Sequence, residues 1–244
     1  MKIVIVSSPR SGNTWLRRLL VDGLGLNDTA VHNYLDVAQV PEQCALQVHW
    51  YREPNFQNFL AEHNFSVITL ARHPLDVLLS VLHFVKYEPE TKRWLEGNCA
   101  LPDNLNISSP CSQCFIDYAT SFGYENLLSV SYQWWHDKDA LKIRYEDLVL
   151  ETNSELERVA DFLKVDSQLI KNALPMNSIE NFQALPNRHG WQGRPGIWRE
   201  LIPTDIAEKI FSRHSGVFQA LGYDIEPSSL PHEEAERRWL ELAR

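Results

Sequence analysis

The chain lacks long hydrophobic runs, and no apolar stretch approaches the about eighteen residues that a membrane-spanning helix needs. Its first residues hold one lysine before an apolar run of four residues, which is too short for the core of a signal peptide. Four cysteines are too few for a disulfide scaffold of this length and are typical of a reducing compartment. These absences predict a cytoplasmic protein without a membrane span.

Positive charge is also scarce, because 23 Lys and Arg residues face 32 Asp and Glu residues and give a formal net charge of −9. General nucleic-acid binders gain affinity by neutralising phosphates, so this balance argues against nucleic acid as a partner. Any anion site must therefore be a local basic pocket. The 44% hydrophobic content predicts one α/β domain over residues 1–244. The oligomeric state stays open.

Short apolar runs alternate with helical patterns along the chain. Strands are predicted at Lys2–Ser7, Ala45–His49, Ser66–Ala71 and Ala140–Arg144. Helices are predicted from Asn13 to Gly23 or Gly25, at Phe56–Glu62, from Pro74, and at Tyr124–Trp135, Thr152–Leu163, Ile206–Leu221 and Glu233–Leu242. This order predicts a three-layer α/β/α fold with a central, doubly wound parallel sheet, whose ligand site lies beyond the carboxyl ends of the strands.

Two segments, 86–115 and 185–198, show no regular pattern and are expected to act as lids or acceptor-binding loops. Trp94 and Trp191 lie in them and are candidates for lining a pocket. The first segment also holds Cys99, Cys111 and Cys114. A structural zinc site needs four ligands and no fourth has suitable spacing, so loop thiols without a special function are the favoured interpretation.

A loop of small residues follows the buried run Ile3–Val6 and leads into a helical pattern. Backbone N–H groups converge at such a helix N-terminus and favour a bound anion, so the layout predicts a P-loop-type phosphate-binding loop. Arg10 lies at its tip. The Gly-Lys-Ser/Thr sequence of nucleoside triphosphatases is missing, so the anion need not be a metal-bridged triphosphate.

Two further strand ends carry polar side chains that should meet this loop at the same sheet edge. Arg72 closes one strand, and Ser80 follows eight positions later in the next helix. A guanidinium and a hydroxyl at this spacing can hold one phosphate. Tyr145 follows a later strand. The convergence predicts a ligand with two separated anionic groups.

Four motifs in this order resemble those of the sulfotransferases that use 3′-phosphoadenosine 5′-phosphosulfate (PAPS). The family's Pro-Lys/Arg-Ser-Gly-x-Thr-Trp loop is similar to residues 9–15, and its Arg followed eight positions later by Ser is similar to Arg72 and Ser80. Its Tyr-Glu-Asp is similar to residues 145–147, and its Gly-x-x-Gly-x-Trp to residues 193–198. The resemblance spans residues 7–198 and implies sulfuryl transfer from PAPS to a hydroxyl, with no metal.

The resemblance also implies roles for individual residues. Arg10 would stabilise the leaving bisphosphate, and Trp15 and Tyr145 would lie against the adenine. Arg188 or, preferably, Arg194 would add a contact to the 3′-phosphate. The implied donor-binding residues are Arg10, Ser11, Gly12, Asn13, Thr14, Trp15, Arg72, Ser80, Tyr145, Gly193, Arg194 and Gly196.

The resemblance also implies a catalytic base, since the family keeps a histidine just after a strand, a little over twenty residues before the 3′-phosphate motif. His49 ends a strand twenty-three positions before Arg72 and is the candidate, because an imidazole ordinarily titrates near neutrality and can accept a proton. His73 and His83 compete for that role. This chain departs from the family's Lys-Ser/Thr-His pattern, because it has Gln47 where the family has lysine.

The acceptor is expected to be a hydroxyl of a small molecule, natural product or glycan. Two alternatives remain: a nucleoside-triphosphate-dependent small-molecule kinase, which shares the strand-loop-helix layout, and a non-catalytic nucleotide-binding module, which Gln47 makes conceivable.

Overall fold

The computed structural model describes residues 1–226 and 229–242 and contains one five-stranded sheet in the order β2-β3-β1-β4-β5. All four strand pairings are parallel. The strands are β1 Lys2–Val6, β2 Asn27–Val31, β3 Cys44–Val48, β4 Ser66–Ala71 and β5 Leu141–Arg144. The predicted central parallel sheet is confirmed.

Both faces of the sheet are buried, which explains why β1 is an unbroken apolar run. Successive side chains of a strand point to opposite faces. Accordingly Ile3 and Ile5 pack into one hydrophobic cluster, with side chains of the helices Asn13–Leu24 and Thr152–Leu163. Val4 and Val6 pack into the other, with the helices Pro54–Glu62, Pro74–Phe84, Phe122–Trp135 and Thr204–Leu221. The result is the predicted three-layer α/β/α arrangement.

Twelve helices connect and follow the strands in the described residues. They are α1 Asn13–Leu24, α2 Pro54–Glu62, α3 Pro74–Phe84, α4 Gln113–Ala119, α5 Phe122–Trp135, α6 Tyr145–Leu150, α7 Thr152–Leu163, α8 Ser167–Lys171, α9 Ile179–Gln183, α10 Trp198–Leu201, α11 Thr204–Leu221 and α12 His232–Leu242. Within the ranges that the structure describes, no helix is long and apolar enough to cross a membrane.

The structure departs from the sequence expectations at a few places. It adds the edge strand β2, whose polar residues are mostly exposed and therefore carry no strand-like hydrophobic pattern. The segment 86–115 is not wholly irregular, because 3₁₀ turns span Pro89–Gly97 and Asp103–Ile107 and α4 begins at Gln113. Residues 227–228 and 243–244 of the expected domain lie outside the described part.

The strand register sets the positions of the chemical groups. Val6 pairs with Val48, so the loop after β1 begins beside His49. Ala71 pairs with Arg144, so Arg72 and Tyr145 leave the sheet side by side. All four chain segments therefore emerge at the carboxyl edge of a parallel sheet, where ligands of such folds bind.

Candidate functional site

The loop between β1 and α1 is a mostly buried turn that several hydrogen bonds hold in place. Ser8 exchanges two hydrogen bonds with Ser131 of α5, of 2.9 and 3.1 Å, and its carbonyl accepts from Asn13 Nδ2 at 3.0 Å. Arg10 has a φ of 68° and Gly12 a φ of 97°. The hydroxyl of Ser11 is buried and has no hydrogen-bond partner within the described residues. The turn therefore holds an unused donor at the start of a helix, as an anion site requires.

Gly12 is required because the ring of Tyr145 packs directly on its backbone. A Cβ at this position would lie 2.5 Å from Tyr145 Cδ2. The Tyr145 hydroxyl reaches beyond the loop and donates to the carbonyl of Gly193 at 2.7 Å. Tyr145 thus joins the first loop to segment 185–198.

Arg72 contacts both the first loop and Tyr145. Its Nη1 donates to the Arg10 carbonyl at 3.2 Å, and its guanidinium lies 4.4 Å from the centre of the Tyr145 ring. Its Nε is buried and unpartnered in the part of the chain that is described. A buried cation with a free N–H group has an unmet demand for an anion.

These elements surround one cavity of about 910 Å³. Most of the residues predicted to bind the donor line it, namely Arg10, Gly12, Asn13, Thr14, Trp15, Arg72, Ser80, Tyr145, Gly193 and Arg194. Ser11 lies beneath the surface of the loop instead, and Gly196 lies behind the cavity wall, where its N–H donates to Asp76 at 2.6 Å. The structure therefore brings together three strand ends that are far apart in sequence.

Arg10 reaches across the cavity to α3. Its Nε donates to Ser80 Oγ at 3.0 Å, its Nη2 donates to the carbonyl of His189 at 2.7 Å, and it lies 4.0 Å from the centre of the Phe84 ring. Burial, and secondarily the charge of Arg72, lowers the pKa of Arg10 to about 9. Arg10 remains protonated at neutral pH, and a bound anion would relieve its repulsion with Arg72.

His49 follows β3 and faces the same cavity. Its Nδ1 lies 2.7 Å from the carbonyl of Ser7, and since a carbonyl only accepts, Nδ1 carries the proton. The lone pair is therefore on Nε2, 3.3 Å from Nε2 of Gln47. Oε1 of Gln47 in turn accepts from Thr14 Oγ1 at 3.2 Å. Burial lowers the pKa of His49 to about 4, which keeps the imidazole neutral and able to accept a proton.

The two histidines that compete with His49 for the role of base both stack on tryptophan rings. The ring of His73 stacks on Trp198 at 4.9 Å and the ring of His83 stacks on Trp191 at 4.9 Å. Neither is among the residues that line the cavity. His32 and His189 do line it, and sequence reasoning missed both. Burial lowers the pKa of His189 to about 2, so this ring is neutral as well.

Asp76 is buried at the first turn of α3 and organises the later loop. Its carboxylate accepts from the backbone N–H groups of Gly196 at 2.6 Å and Trp198 at 2.9 Å. Burial raises its pKa. Asp76 therefore holds segment 185–198 against the helix that carries Ser80. The sequence did not predict this contact.

The two arginines considered for the 3′-phosphate take different positions. Arg194 lines the cavity, is exposed, and donates to Glu200 Oε2 at 2.7 Å. Arg188 lies 4.9 Å from the centre of the Tyr87 ring and donates to the Tyr87 hydroxyl at 3.3 Å. Of the pair, Arg194 is therefore the one beside the cavity.

Part of the cavity wall is aromatic, and some of it comes from the two segments expected to bind the acceptor. Trp94 and Trp191 both line it, with Phe84, Phe182 and Leu185. Trp94 stands edge-on to His49, with ring centres 6.5 Å apart, and stacks with Phe84 at 6.1 Å. Trp94 therefore places aromatic surface beside the candidate base.

All four cysteines are free thiols. Cys99 is buried, and Cys114 lies 3.0 Å from Asn104 Oδ1. Over residues 1–226 and 229–242, no group of three or more His, Cys, Asp or Glu side chains is arranged to hold a metal ion.

Comparisons with known proteins give one consistent result. A model of the sulfotransferase domain family matches residues 1–191. Cytosolic sulfotransferase 12 of Arabidopsis thaliana is 22% identical, over 85% of this chain and 74% of the relative.

Solved structures share the fold. The mouse sulfotransferase SULT7A1 complexed with PAP has a TM-score of 0.65 at 15% identity, covering 89% of this chain and 84% of that one. Retinol dehydratase in complex with androsterone and the inactive cofactor PAP has a TM-score of 0.62 at 16% identity, covering 92% and 82%.

Proposed function

This chain belongs to the sulfotransferase domain family, and we propose that it transfers a sulfuryl group from PAPS to a hydroxyl group. The observation that carries the proposal is the meeting of Arg10, Arg72 and Tyr145 around one cavity at the sheet edge. Neighbouring folds crystallised with PAP support the choice of donor. Residues 1–244 act as one domain in this proposal.

The residues present fit a nucleotide with two phosphate groups. The start of α1 supports the 5′-phosphate position, and the buried, unpartnered Nε of Arg72 supports the 3′-phosphate position. In the proposal, Trp15 stacks on the adenine and Tyr145 lies near it, since both line the cavity. In the proposal, residues 11–14 hold the 5′-phosphate, Arg72 and Ser80 hold the 3′-phosphate, and Gly193 and Arg194 close over it.

The reaction is an in-line displacement at sulfur. The acceptor oxygen forms a bond to sulfur, the bond between sulfur and the bridging phosphate oxygen breaks, and the bridging oxygen keeps the electron pair. His49 accepts the acceptor's proton at Nε2, the ring nitrogen that carries the lone pair, once the Gln47 amide turns away from it. Arg10 stabilises the negative charge that grows on the leaving group, worth about 3 kcal/mol for one well-placed donor.

Gln47 takes the place of the family's lysine and changes how the base is held. Its amide connects Thr14, at the start of α1, with Nε2 of His49. In the proposal, phosphate bound at Thr14 draws the Thr14 hydroxyl away, and the Gln47 amide is then free to turn its N–H toward the transferring group. The chain thus has a neutral donor where relatives carry a cation.

The acceptor is a hydroxyl of a small molecule, natural product or glycan in this proposal. Segments 86–115 and 185–198 shape its pocket, since Trp94 and Trp191 line the cavity. A cavity of about 910 Å³ has room for the donor and a compact acceptor together. The Trp94 ring beside His49 supports an acceptor with an apolar body.

Incubation of the protein with PAPS and a panel of phenols, alcohols and sugars tests the function. Mass spectrometry should detect a sulfated product together with equimolar adenosine 3′,5′-bisphosphate, in the presence of EDTA. The absence of sulfated product from folded protein that still binds the bisphosphate would favour a nucleotide-binding module. Stabilisation by MgATP but not by the bisphosphate would favour a kinase.

A further inference from the structure

The order of the strands sets the order of the chemical groups along the sheet edge. Arg72 follows β4, the first loop follows β1, and His49 follows β3. These strands are neighbours in the order β3-β1-β4, so the candidate base lies at one end of the row. Strand β2 lies beyond β3, at the edge of the sheet. The groups after β2 are therefore on the far side of His49 from the proposed nucleotide site.

The cavity extends past His49 to β2. Val31 pairs with Val48, so His32 and His49 leave adjacent strands, which lie about 5 Å apart. The end of the cavity beside β2, the β2 arm, is lined by Arg17 of α1 and by Ala30, Val31 and His32. This arm offers space for a part of the acceptor that lies beyond its reacting hydroxyl.

Arg17 is a buried cation whose N–H groups are not all used. Its side chain is 11% exposed, and its Nε lies 3.0 Å from Asp28 Oδ1 of β2. This contact is an ion pair without hydrogen-bond geometry, because neither Nε nor Nη1 of Arg17 has a hydrogen bond to any described residue. A buried guanidinium with unused N–H groups beside a cavity has an unmet demand for an acceptor atom.

Asp28 does not neutralise Arg17 completely, because it is shared. Its Oδ2 accepts a hydrogen bond from Arg18 Nη1 at 2.9 Å, so one carboxylate faces two guanidinium groups and one positive charge is left over. Water can solvate Arg18, whose side chain is 43% exposed, whereas Arg17 lines the cavity. The β2 arm is thus a local basic pocket in a chain whose formal net charge is −9.

Arg17 lies away from the position of the transferring group. In the proposed function, the sulfur atom lies between the first loop and His49. Arg17 follows Thr14 by three residues on α1, which places its backbone about 5 Å further from the helix N-terminus. Its guanidinium contacts Asp28 of the edge strand. The anion that Arg17 can take is therefore a group of the acceptor and not the sulfuryl group.

We propose that the natural acceptor carries a carboxylate as well as its hydroxyl, and that Arg17 binds this carboxylate in the β2 arm. The inference rests on the proposed function and names its substrate class. With the hydroxyl beside His49 and the carboxylate at β2, the two groups are roughly 5–10 Å apart, about one to two strand spacings. The hydroxyl facing His49 is the nucleophile, and the product is an O-sulfate that keeps its carboxylate.

Arg17 also contacts Asp28, so a structural role must be separated from ligand binding. Arg17→Gln removes the charge, and Arg17→Lys keeps the charge but not the forked N–H groups. Arg18→Gln is the matched control, because it removes the other cation that contacts Asp28 and Arg18 is not among the residues that line the cavity.

Two matched pairs of probes isolate the carboxylate: 3-(4-hydroxyphenyl)propanoate with its primary amide, and 6-hydroxyhexanoate with its primary amide. Binding of each to the enzyme saturated with adenosine 3′,5′-bisphosphate is measured by calorimetry, and kcat/KM with PAPS is measured in parallel. In at least one pair the wild type should prefer the acid about tenfold or more. Arg17→Gln should abolish that preference by weakening binding of the acid, Arg17→Lys should keep part of it, and Arg18→Gln should retain it.

Failure of both acids to bind, equal binding of acid and amide in each pair, or a preference that survives Arg17→Gln would overturn the inference. A fall of kcat for acid and amide alike in Arg17→Gln would also overturn it, since Arg17 would then act on the transferring group.

The calorimetric measurement separates this inference from the proposed function. Selective binding of the acid without transfer would support Arg17 as the carboxylate site while counting against the enzymatic proposal. Transfer to acid and amide at equal kcat/KM, with equal binding, would support the enzymatic proposal and overturn the role of Arg17.

Discussion

Nε2 of Gln47 lies 3.3 Å from Nε2 of His49, so the lone pair of the candidate base is occupied by a side-chain amide. The other side of the ring donates to the Ser7 carbonyl at 2.7 Å. The two contacts hold the imidazole in one orientation and one tautomer. Gln47 is therefore a positioning residue for His49, in a place where a lysine would repel a protonated ring.

Gln47→Glu should raise the pKa of His49 above about 4, because a carboxylate favours the protonated ring. His49 accepts a proton only when neutral, so the acid limb of the kcat/KM profile should move to higher pH by about one unit or more. NMR titration of the ring measures the pKa directly. Gln43→Glu, an exposed change at the other end of β3, should leave the limb in place.

His49→Ala should reduce kcat by about a hundredfold to ten-thousandfold, the range for loss of a general base. The bisphosphate affinity should stay within about twofold of wild type, because His49 lies on the acceptor side of the cavity. Stopped-time activity assays measure kcat, and calorimetry measures the affinity for the bisphosphate. Unchanged kcat would remove His49 from the mechanism. His136→Ala, at the exposed end of α5, is the control.

Arg10→Ala should lower kcat by about a hundredfold to a thousandfold, as loss of one charge-stabilising donor does.

Ser80→Ala should affect nucleotide binding instead. It removes a hydroxyl from the proposed 3′-phosphate position and frees Arg10, so binding of adenosine 3′,5′-bisphosphate should weaken by about tenfold while binding of adenosine 5′-phosphate stays unchanged. If the affinities for both nucleotides fell equally, Ser80 would not be a contact of the 3′-phosphate.

Asp76→Ala should lower the melting temperature by several degrees. It leaves the backbone N–H groups of Gly196 and Trp198 without their acceptor, at a cost of about 1–3 kcal/mol for each unsatisfied group. Segment 185–198 should then loosen, and nucleotide affinity should fall with stability. Scanning calorimetry with and without the bisphosphate tests both effects. Asp161→Ala, an exposed change on α7, should alter neither.

The sheet edge could be predicted because it depends on local patterns. A buried β1, a loop of small residues and a helix appear together in the sequence, and parallel strands bring their carboxyl ends to one edge. The same rule brought Arg72 and Tyr145 to the loop. Strand β2 could not be predicted, since its exposed position at the sheet edge removes the hydrophobic pattern.

The acceptor side could not be predicted for a different reason. His189 and Glu88 reach the cavity through irregular segments, whose path is set by contacts with distant residues such as Arg10 and Asn187. No periodicity marks which of their side chains face inward. The contact of Asp76 with Gly196 is equally long-range and left no signal in the spacing.

The central claim is a metal-independent site for a nucleotide with two separate phosphates. Calorimetric titration in EDTA of wild type and Arg72→Ala, each with adenosine 3′,5′-bisphosphate and adenosine 5′-phosphate, tests it most directly. Wild type should bind the bisphosphate at least about tenfold more tightly than the monophosphate, and Arg72→Ala should abolish this difference. Equal affinity of wild type for both nucleotides, or binding that requires magnesium, would contradict it.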